Sequence, residues 1–477
     1  MIVLVLVISA AVLGLRAWDS LGGPPLEPWH TYVPADMHAD EIDRSDWAGY
    51  LRHEEDVFRD VRREVVDRID PQAALPGNRY WAGSPIYPGR FDHDFNRSYL
   101  LEPDGPPAGA VVLLHGLTDS PYSLRHVGRL YRDRGFVVVA IRLPAHGTVP
   151  AALTDVAWED WDAATRLAVR EARRRVSTDR PLHIVGYSNG GALAMKYAVD
   201  ALDAGALPRP DRLILISPMI GITSFARFVG LAALPALLPA FAKAAWLGLV
   251  PEFNPFKYNS FPVNGARQSH RLTIALQDRL AQAGREGRLA ALPPVLTFQS
   301  VVDFTVSTPA VISGLYAHLP SNGSELVLFD LNRAAALSVL LRDAAEAVLS
   351  RILPPPPRHY RTVIISNAAA DRYDVSERVT EAGDTTEQVR ALDLAFPRDI
   401  FSLSHVALPF PVSDSLYGLQ PDESEDFGVH LGAIAPRGER GVLIVNLDTL
   451  LRVSSNPFFP YQISRIEQAI ARDTRRR

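Results

Sequence analysis

The residues best suited to chemistry centre on one serine. Gly186-Tyr187-Ser188-Asn189-Gly190 reads G-x-S-x-G, directly after the expected strand Leu182–Val185 and before the helix-like stretch Asn189–Ala201. Small residues two before and two after a serine permit a tight strand-to-helix turn that pushes Oγ outward. The N-terminus of the following helix offers unpaired N–H groups and positive potential to a developing oxyanion. Ser188 is therefore the expected nucleophile of an acyl transfer, with the N–H of Asn189 as one oxyanion donor. His115-Gly116-Leu117 closes another apolar run, Val111–Leu114, and leads into Thr118-Asp119-Ser120. The N–H of Leu117 is the expected second donor, and the His115 ring is expected to hold the loop without reacting.

These groups need a frame. From Arg97 onward, short β-branched runs alternate with helical stretches. The runs are Val111–His115, Phe136–Arg142, Leu182–Tyr187, Arg212–Ser217, Val295–Ser300 and Glu325–Leu331. Ser120–Arg134, Trp158–Arg175 and Asn189–Ala201 lie between them with helical character. Continuous Val, Ile and Leu strands separated by helices predict an α/β fold with a parallel sheet covered on both faces. Tyr360–Ser366 reads as a further strand, Val442–Leu447 as another, and Ser464–Arg472 as a helix with a basic tail. Ser45–Ile69 carries apolar residues at helical spacing among charges. There is no internal repeat, and Pro354–Pro357 is a stiff spacer.

Composition removes several classes of function. The chain has 477 residues, 47% hydrophobic, with a net charge of −5 and no cysteine. That apolar fraction supports a buried core and excludes wholesale disorder. The charge leaves no basic footprint for nucleic acid. Without cysteine there are no disulfides, thiolate metal sites or thiol nucleophiles. Lys196, Lys243 and Lys257 are the only lysines, so nearly all positive charge is arginine. Asp92-His93-Asp94 is expected to be a polar turn, since three consecutive residues rarely converge on one ion.

Taken in order, HGLTDSPYSLR (115–125), RLPAHGT (142–148), AWEDW (157–161) and GYSNGG (186–191) resemble the α/β-hydrolase superfamily. The nearest group is that of carboxylesterases, monoacylglycerol lipases and serine-aminopeptidase-like enzymes. The resemblance implies an α/β-hydrolase fold with an eight-stranded, mostly parallel sheet flanked by helices. It also implies a cap between the sixth and seventh strands, a triad in chain order serine, acid, histidine, and no metal or organic cofactor. The acid belongs after the strand that follows the cap, where Val301-Val302-Asp303-Phe304 offers Asp303. The base should follow the next strand, Glu325–Leu331, but Asp330-Leu331-Asn332-Arg333 contains no histidine. Of His270, His318, His359, His405 and His430, the best candidate is His405, in Ser402-Leu403-Ser404-His405-Val406, with His359 and His430 in reserve. Choosing His405 requires an excursion of about 70 residues, mostly within 332–400, which logarithmic loop-closure entropy tolerates. It leaves the sheet and returns to the site, and Tyr360–Ser366 would let it extend the sheet.

Two apolar tracts bear on location. Ile2–Leu15 is an almost unbroken apolar run, yet at ~1.5 Å per residue it falls short of a ~30 Å hydrocarbon core. It reads as an N-terminal membrane anchor or an export signal, the anchor being preferred because no basic n-region or small-x-small site accompanies it. Phe228–Val250 contains Pro235, Pro239 and Lys243 and lies between strands of one sheet, so it is expected to cap the protein or rest on lipid.

The expected division is 1–18 anchor or signal; 19–95 extension; 96–218 and 293–331 hydrolase core; 219–292 apolar cap; 332–400 insertion; 401–477 histidine loop and C-terminal segment. The expected function is hydrolysis of carboxylic esters of lipid or other hydrophobic acyl compounds, in a membrane-associated protein. Phe225, Phe228, Leu231, Leu234, Leu237, Phe241, Trp246 and Leu249 of the cap would line an acyl pocket, rest on lipid, or simply pack the cap onto the sheet. An aminopeptidase-like amide hydrolase with Glu252 as its acidic anchor, and a catalytically retired membrane-tethered scaffold, are the alternatives.

Overall fold

The computed structural model describes residues 22–203, 207–221, 239–303, 305–334, 348–434 and 454–475, with positions 14, 18, 205, 443, 445, 450 and 452 between them. Most of the N-terminal apolar run, the first half of the cap tract and most of Val442–Leu447 lie outside these residues.

Among the described residues ten strands form one sheet: β1 (Tyr99–Leu101), β2 (Gly109–Leu114), β3 (Phe136–Ile141), β4 (Leu182–Tyr187), β5 (Arg212–Ile216), β8 (Val295–Ser300), β9 (Glu325–Phe329), β10 (Arg361–Asn367), β11 (Asp374–Thr380) and β12 (Glu387–Ala395). Their order is β1-β3-β2-β4-β5-β8-β9-β10-β11-β12. The run from β3 to β10 is parallel, while β1, β11 and β12 pair antiparallel to their neighbours. The short strands β6 (Trp246–Gly248) and β7 (Phe261–Pro262) form a separate hairpin.

The central strands are buried along their whole length because both faces are covered. Val112, Leu114, Ile184, Leu213 and Leu215 face one core with the helices Trp158–Arg174, Asn189–Asp200, Val263–Arg285 and Thr308–Gly314. Val111, Leu113, Val185, Ile214 and Phe298 face the other, beneath the helices Arg125–Asp133 and Phe459–Arg475.

The sheet differs from the expected eight strands, for a reason that lies in 332–400. This stretch adds β10 parallel to β9 and then the β11–β12 hairpin, so the excursion widens the sheet. Val363 and Ile365 pack into the core that the C-terminal helix covers. That helix is fastened by buried ion pairs: Arg212 to Asp473 at 2.5 and 2.9 Å, and Arg465 to Glu325. Tyr461 donates to Glu377 of β11 at 2.8 Å.

The cap expectation also divides. Leu272, Leu276, Leu280 and Ala283 are buried at helical spacing, so Val263–Arg285 belongs to the layer against the sheet. The N-terminal extension is integrated too. Its helix Trp47–Glu64, capped by Asp46, places Glu54 against Arg142 at 3.0 Å, and Asp36 holds the same guanidinium at 2.7 and 2.9 Å. Among the described residues no helix is long and apolar enough to cross a membrane.

Candidate active site

The C-terminal ends of parallel strands are where such sheets hold their ligands. Here β2 ends at the His115-Gly116-Leu117 loop, β4 at Ser188, and β8 just before Asp303.

Ser188 has φ 55° and ψ −117°, a strained conformation for a residue with a Cβ. Its neighbours explain how the turn is sustained. A Cβ on Gly190 would lie 2.0 Å from the Leu114 carbonyl oxygen, and one on Gly186 would lie 2.3 Å from the Gly190 oxygen. The Ser188 N–H donates to the Ile216 carbonyl at 3.0 Å, and its own carbonyl accepts from Gly191 and Met219 at 2.9 Å each. Both glycines are thus steric requirements of a strand that turns directly into a helix.

The structure brings Ser188, His405 and Asp303 together. His405 Nε2 lies 3.0 Å from Ser188 Oγ, and Nδ1 lies 3.1 Å from Asp303 Oδ2. With Nδ1–H donating to the carboxylate, Nε2 is free to accept the serine hydroxyl. The imidazole is buried and stacks on Tyr187, ring centroids 5.3 Å apart. The other oxygen of Asp303 accepts the N–H groups of Thr305 and Val306, both at 2.9 Å, and Gln299 Nε2 donates to Oδ2 at 3.2 Å. Burial alone would raise the pKa of Asp303; the adjacent His405 and these N–H donors outweigh it and hold the carboxyl below its ordinary value.

Leu117 lines the cavity at Ser188, and Asn189 is the first residue of its helix, so its N–H has no intrahelical partner. His115 is buried: Nδ1–H donates to the Gly116 carbonyl at 2.9 Å, and Nε2 accepts the N–H of Leu143 at 3.0 Å. Burial, with His146 beside it, keeps its pKa well below the ordinary histidine value. Both ring nitrogens are committed to loop structure. The reserve histidines lie elsewhere: His430 bonds the Ser415 carbonyl at 2.8 Å, and His359 lines a surface cavity near Pro354 and Tyr360.

The cavity, about 520 Å³, is walled by Phe253, Tyr258, Phe261, Phe410 and Tyr417, and also by Asp119, Lys257 and Arg452. Of the cap residues proposed to line an acyl pocket, Phe225, Phe228, Leu231, Leu234 and Leu237 lie outside the described residues, and the described ones, Phe241, Trp246 and Leu249, are not part of this wall. Glu252 is buried with its carboxylate accepting the N–H groups of Asn259 and Ser260, at 3.1 and 2.7 Å. It braces a loop and is not among the cavity's lining residues. The acid that does face the cavity is Asp119, whose pKa burial pushes up to about 6. Its side chain is not singled out by the sequence because it stands inside the loop expected to supply a backbone N–H donor. Lys257 carried one signal, its rarity in an arginine-rich chain. Among the described residues no cluster of His, Asp and Glu could hold a metal ion.

Residues 105–330 match the family described as serine aminopeptidase, S33. The thermostable monoacylglycerol lipase of Bacillus sp. (strain H-257) is 32% identical over 92 residues, 19% of this chain and 35% of that protein. The chain thus spans about a third of the length of the curated relative it matches. Among solved structures, one of the metagenome-derived lipolytic enzymes LipS and LipT is 22% identical, covering 54% of this chain and 95% of its own, with a TM-score of 0.40. The Paleococcus ferrophilus monoacylglycerol lipase is 18% identical over 53% of this chain and 98% of its own, with a TM-score of 0.36. With a mostly parallel sheet, helices on both faces and a serine on the turn after β4, this chain has the α/β-hydrolase fold and resembles the carboxylesterase, monoacylglycerol lipase and serine-aminopeptidase-like group.

Proposed function

We propose that this protein is a serine hydrolase of carboxylic esters, acting on lipid or other hydrophobic acyl substrates through Ser188, His405 and Asp303. The observation that carries this reading is the chain of contacts from Ser188 Oγ to His405 Nε2 and from His405 Nδ1 to Asp303, at 3.0 and 3.1 Å. Ser188 attacks the acyl carbonyl while His405 Nε2 takes the hydroxyl proton, and the Asp303 carboxylate stabilises the imidazolium. The N–H groups of Leu117 and Asn189 receive the tetrahedral oxyanion. His405 returns the proton to the departing alcohol, and water releases the acyl-enzyme by the same route. The aromatic wall of the cavity supports a hydrophobic acyl group. Membrane association through Ile2–Leu15 is part of the same proposal and rests on that segment's composition.

Fluorophosphonate labelling and hydrolysis of 4-nitrophenyl esters of graded chain length test it. Labelling that persists in Ser188→Ala rejects the serine, and a steep preference for acetyl over longer chains removes the lipid reading. Cleavage of aminoacyl amides without ester turnover favours the aminopeptidase alternative, which lacks the support of Glu252, turned into its own loop. Absence of any Ser188-dependent turnover favours the retired scaffold.

A further inference from the structure

The cavity at Ser188 mixes aromatic rings with charge. Lys257 stands in its wall and Arg452 is exposed at its rim. Lys257 is half-buried, on a loop pinned at several points. The Tyr258 N–H donates to the Thr118 carbonyl at 2.8 Å, Glu252 ties down Asn259 and Ser260, and Asn254 Nδ2 donates to the Tyr417 hydroxyl at 2.6 Å. The backbone beneath Lys257 is therefore fixed against the oxyanion loop.

Among the described residues its ammonium has no hydrogen-bond or ion-pair partner, and Asp119 attracts it only through space. Among the described residues the buried cations have polar partners in contact: Arg125 has Asp414, Arg142 has Asp36 and Glu54, Arg212 has Asp473, and Arg79, without a carboxylate, donates to the carbonyls of Asn254 and Gly147 and to the Asn96 side-chain oxygen. An ammonium partly withdrawn from water without a counter-charge in contact loses solvation that a bound anion would restore. Lys257 departs from the pattern of its neighbours, and it does so in the cavity that holds Ser188.

We propose that Lys257, with Arg452 at the rim, receives an anionic group, carboxylate or phosphate, carried by the ester substrate. This rests on the ester-hydrolase reading of Ser188 and narrows it: the substrate is a hydrophobic ester with a negatively charged end. Aromatic rings hold its apolar part, and a compact ammonium suits either oxyanion.

The test compares the 4-nitrophenyl monoester of glutaric acid with 4-nitrophenyl pentanoate, whose acyl chain has the same number of carbons. A phosphonate-terminated acyl chain separates phosphate from carboxylate recognition. In the full-length protein kcat/KM for a charged ester should exceed that for the neutral one about tenfold. The ratio should collapse in Lys257→Met and largely survive in Lys257→Arg. An equal ratio in wild type and Lys257→Met overturns the proposal, whereas absence of any ester turnover strikes the parent reading instead. Calorimetry with the Ser188→Ala protein answers the question without turnover. Glutaric acid monophenyl ester should bind it about tenfold more tightly than it binds the Ser188→Ala, Lys257→Met double variant. Equal affinities would again reject the anion site.

Discussion

Asp414 accepts a hydrogen bond from Arg125 Nη1 at 2.5 Å, across 289 residues of chain, with both side chains buried. The same carboxylate meets His126 Nε2 at 2.8 Å and the Tyr122 hydroxyl at 3.0 Å, and it accepts the N–H groups of Leu416 and Tyr417 at 3.0 and 2.7 Å. The returning chain that carries His405 is thereby locked to the helix Arg125–Asp133, which follows the His115-Gly116-Leu117 loop.

Asp414→Ala should cost about 3–5 kcal/mol of unfolding free energy at neutral pH, since it leaves the Arg125 guanidinium buried and uncompensated. Burial would raise the Asp414 pKa, but Arg125 and His126 outweigh it and hold the carboxyl far below its ordinary range. A depressed folded-state pKa means that this stabilisation is present above the unfolded carboxyl's pKa and is lost as pH falls toward the folded value. Urea melts of both proteins across acid pH measure it. A difference that stays flat with pH would contradict this account.

Gly190→Ala should disrupt the turn at Ser188. The added methyl would sit 2.0 Å from the Leu114 carbonyl oxygen, which is backbone and cannot swing aside. A loss of about 3 kcal/mol or more is expected, at the upper end of overpacking costs, together with loss of fluorophosphonate labelling. Wild-type stability and labelling in this variant would mean that the turn is looser than the geometry indicates.

Asp303→Asn should lower kcat by about 10⁴ with little change in KM. The side-chain oxygen can still accept from Thr305 and Val306, so the loop is preserved. The amide, however, presents N–H to His405 Nδ1 and forces the proton onto Nε2, the nitrogen that accepts from Ser188 in the proposed mechanism. Steady-state kinetics beside an unchanged thermal midpoint would separate this from unfolding. A loss of less than tenfold would relegate Asp303 to a loop cap.

Asp119 should make stability fall with rising pH over a defined window. Burial pushes its pKa up to about 6, above the unfolded value near 3.9, so the folded state holds the extra proton between about pH 4 and 6. Stability attributable to the neutral carboxyl is complete below about pH 4 and is lost as pH rises through 6, by about 3 kcal/mol. Comparing wild type and Asp119→Asn by denaturant unfolding from pH 4 to 8 isolates this component. Parallel profiles would place the Asp119 pKa near its ordinary value.

Much of the frame was legible because it is written locally. β4 and β8 occupy the predicted residues, since each is a short, largely apolar run entered directly after a proline, Pro181 or Pro294. The β11–β12 hairpin escaped notice: β12 is largely exposed, so it lacks the apolar run that marks a buried strand. The long C-terminal helix was visible only in its middle. Its length follows from Tyr461 and Asp473 reaching partners on β11 and β5.

Sequence alone determined the turn at Ser188, because two missing side chains and a strand-to-helix junction are contained in five consecutive residues. It also narrowed the base to one preferred histidine among several. Which imidazole faces Ser188 was decided only by the folded chain. The landing place of His405 depends on Asp414 finding Arg125, and on Leu403, Leu408 and Phe410 being buried against β-strands and helices far away in sequence. The polar character of the cavity was decided in the same way. Lys257 and Asp119 become neighbours only when the Pro251–Ser260 loop docks on the loop that carries Thr118, and no periodicity encodes a contact between two loops.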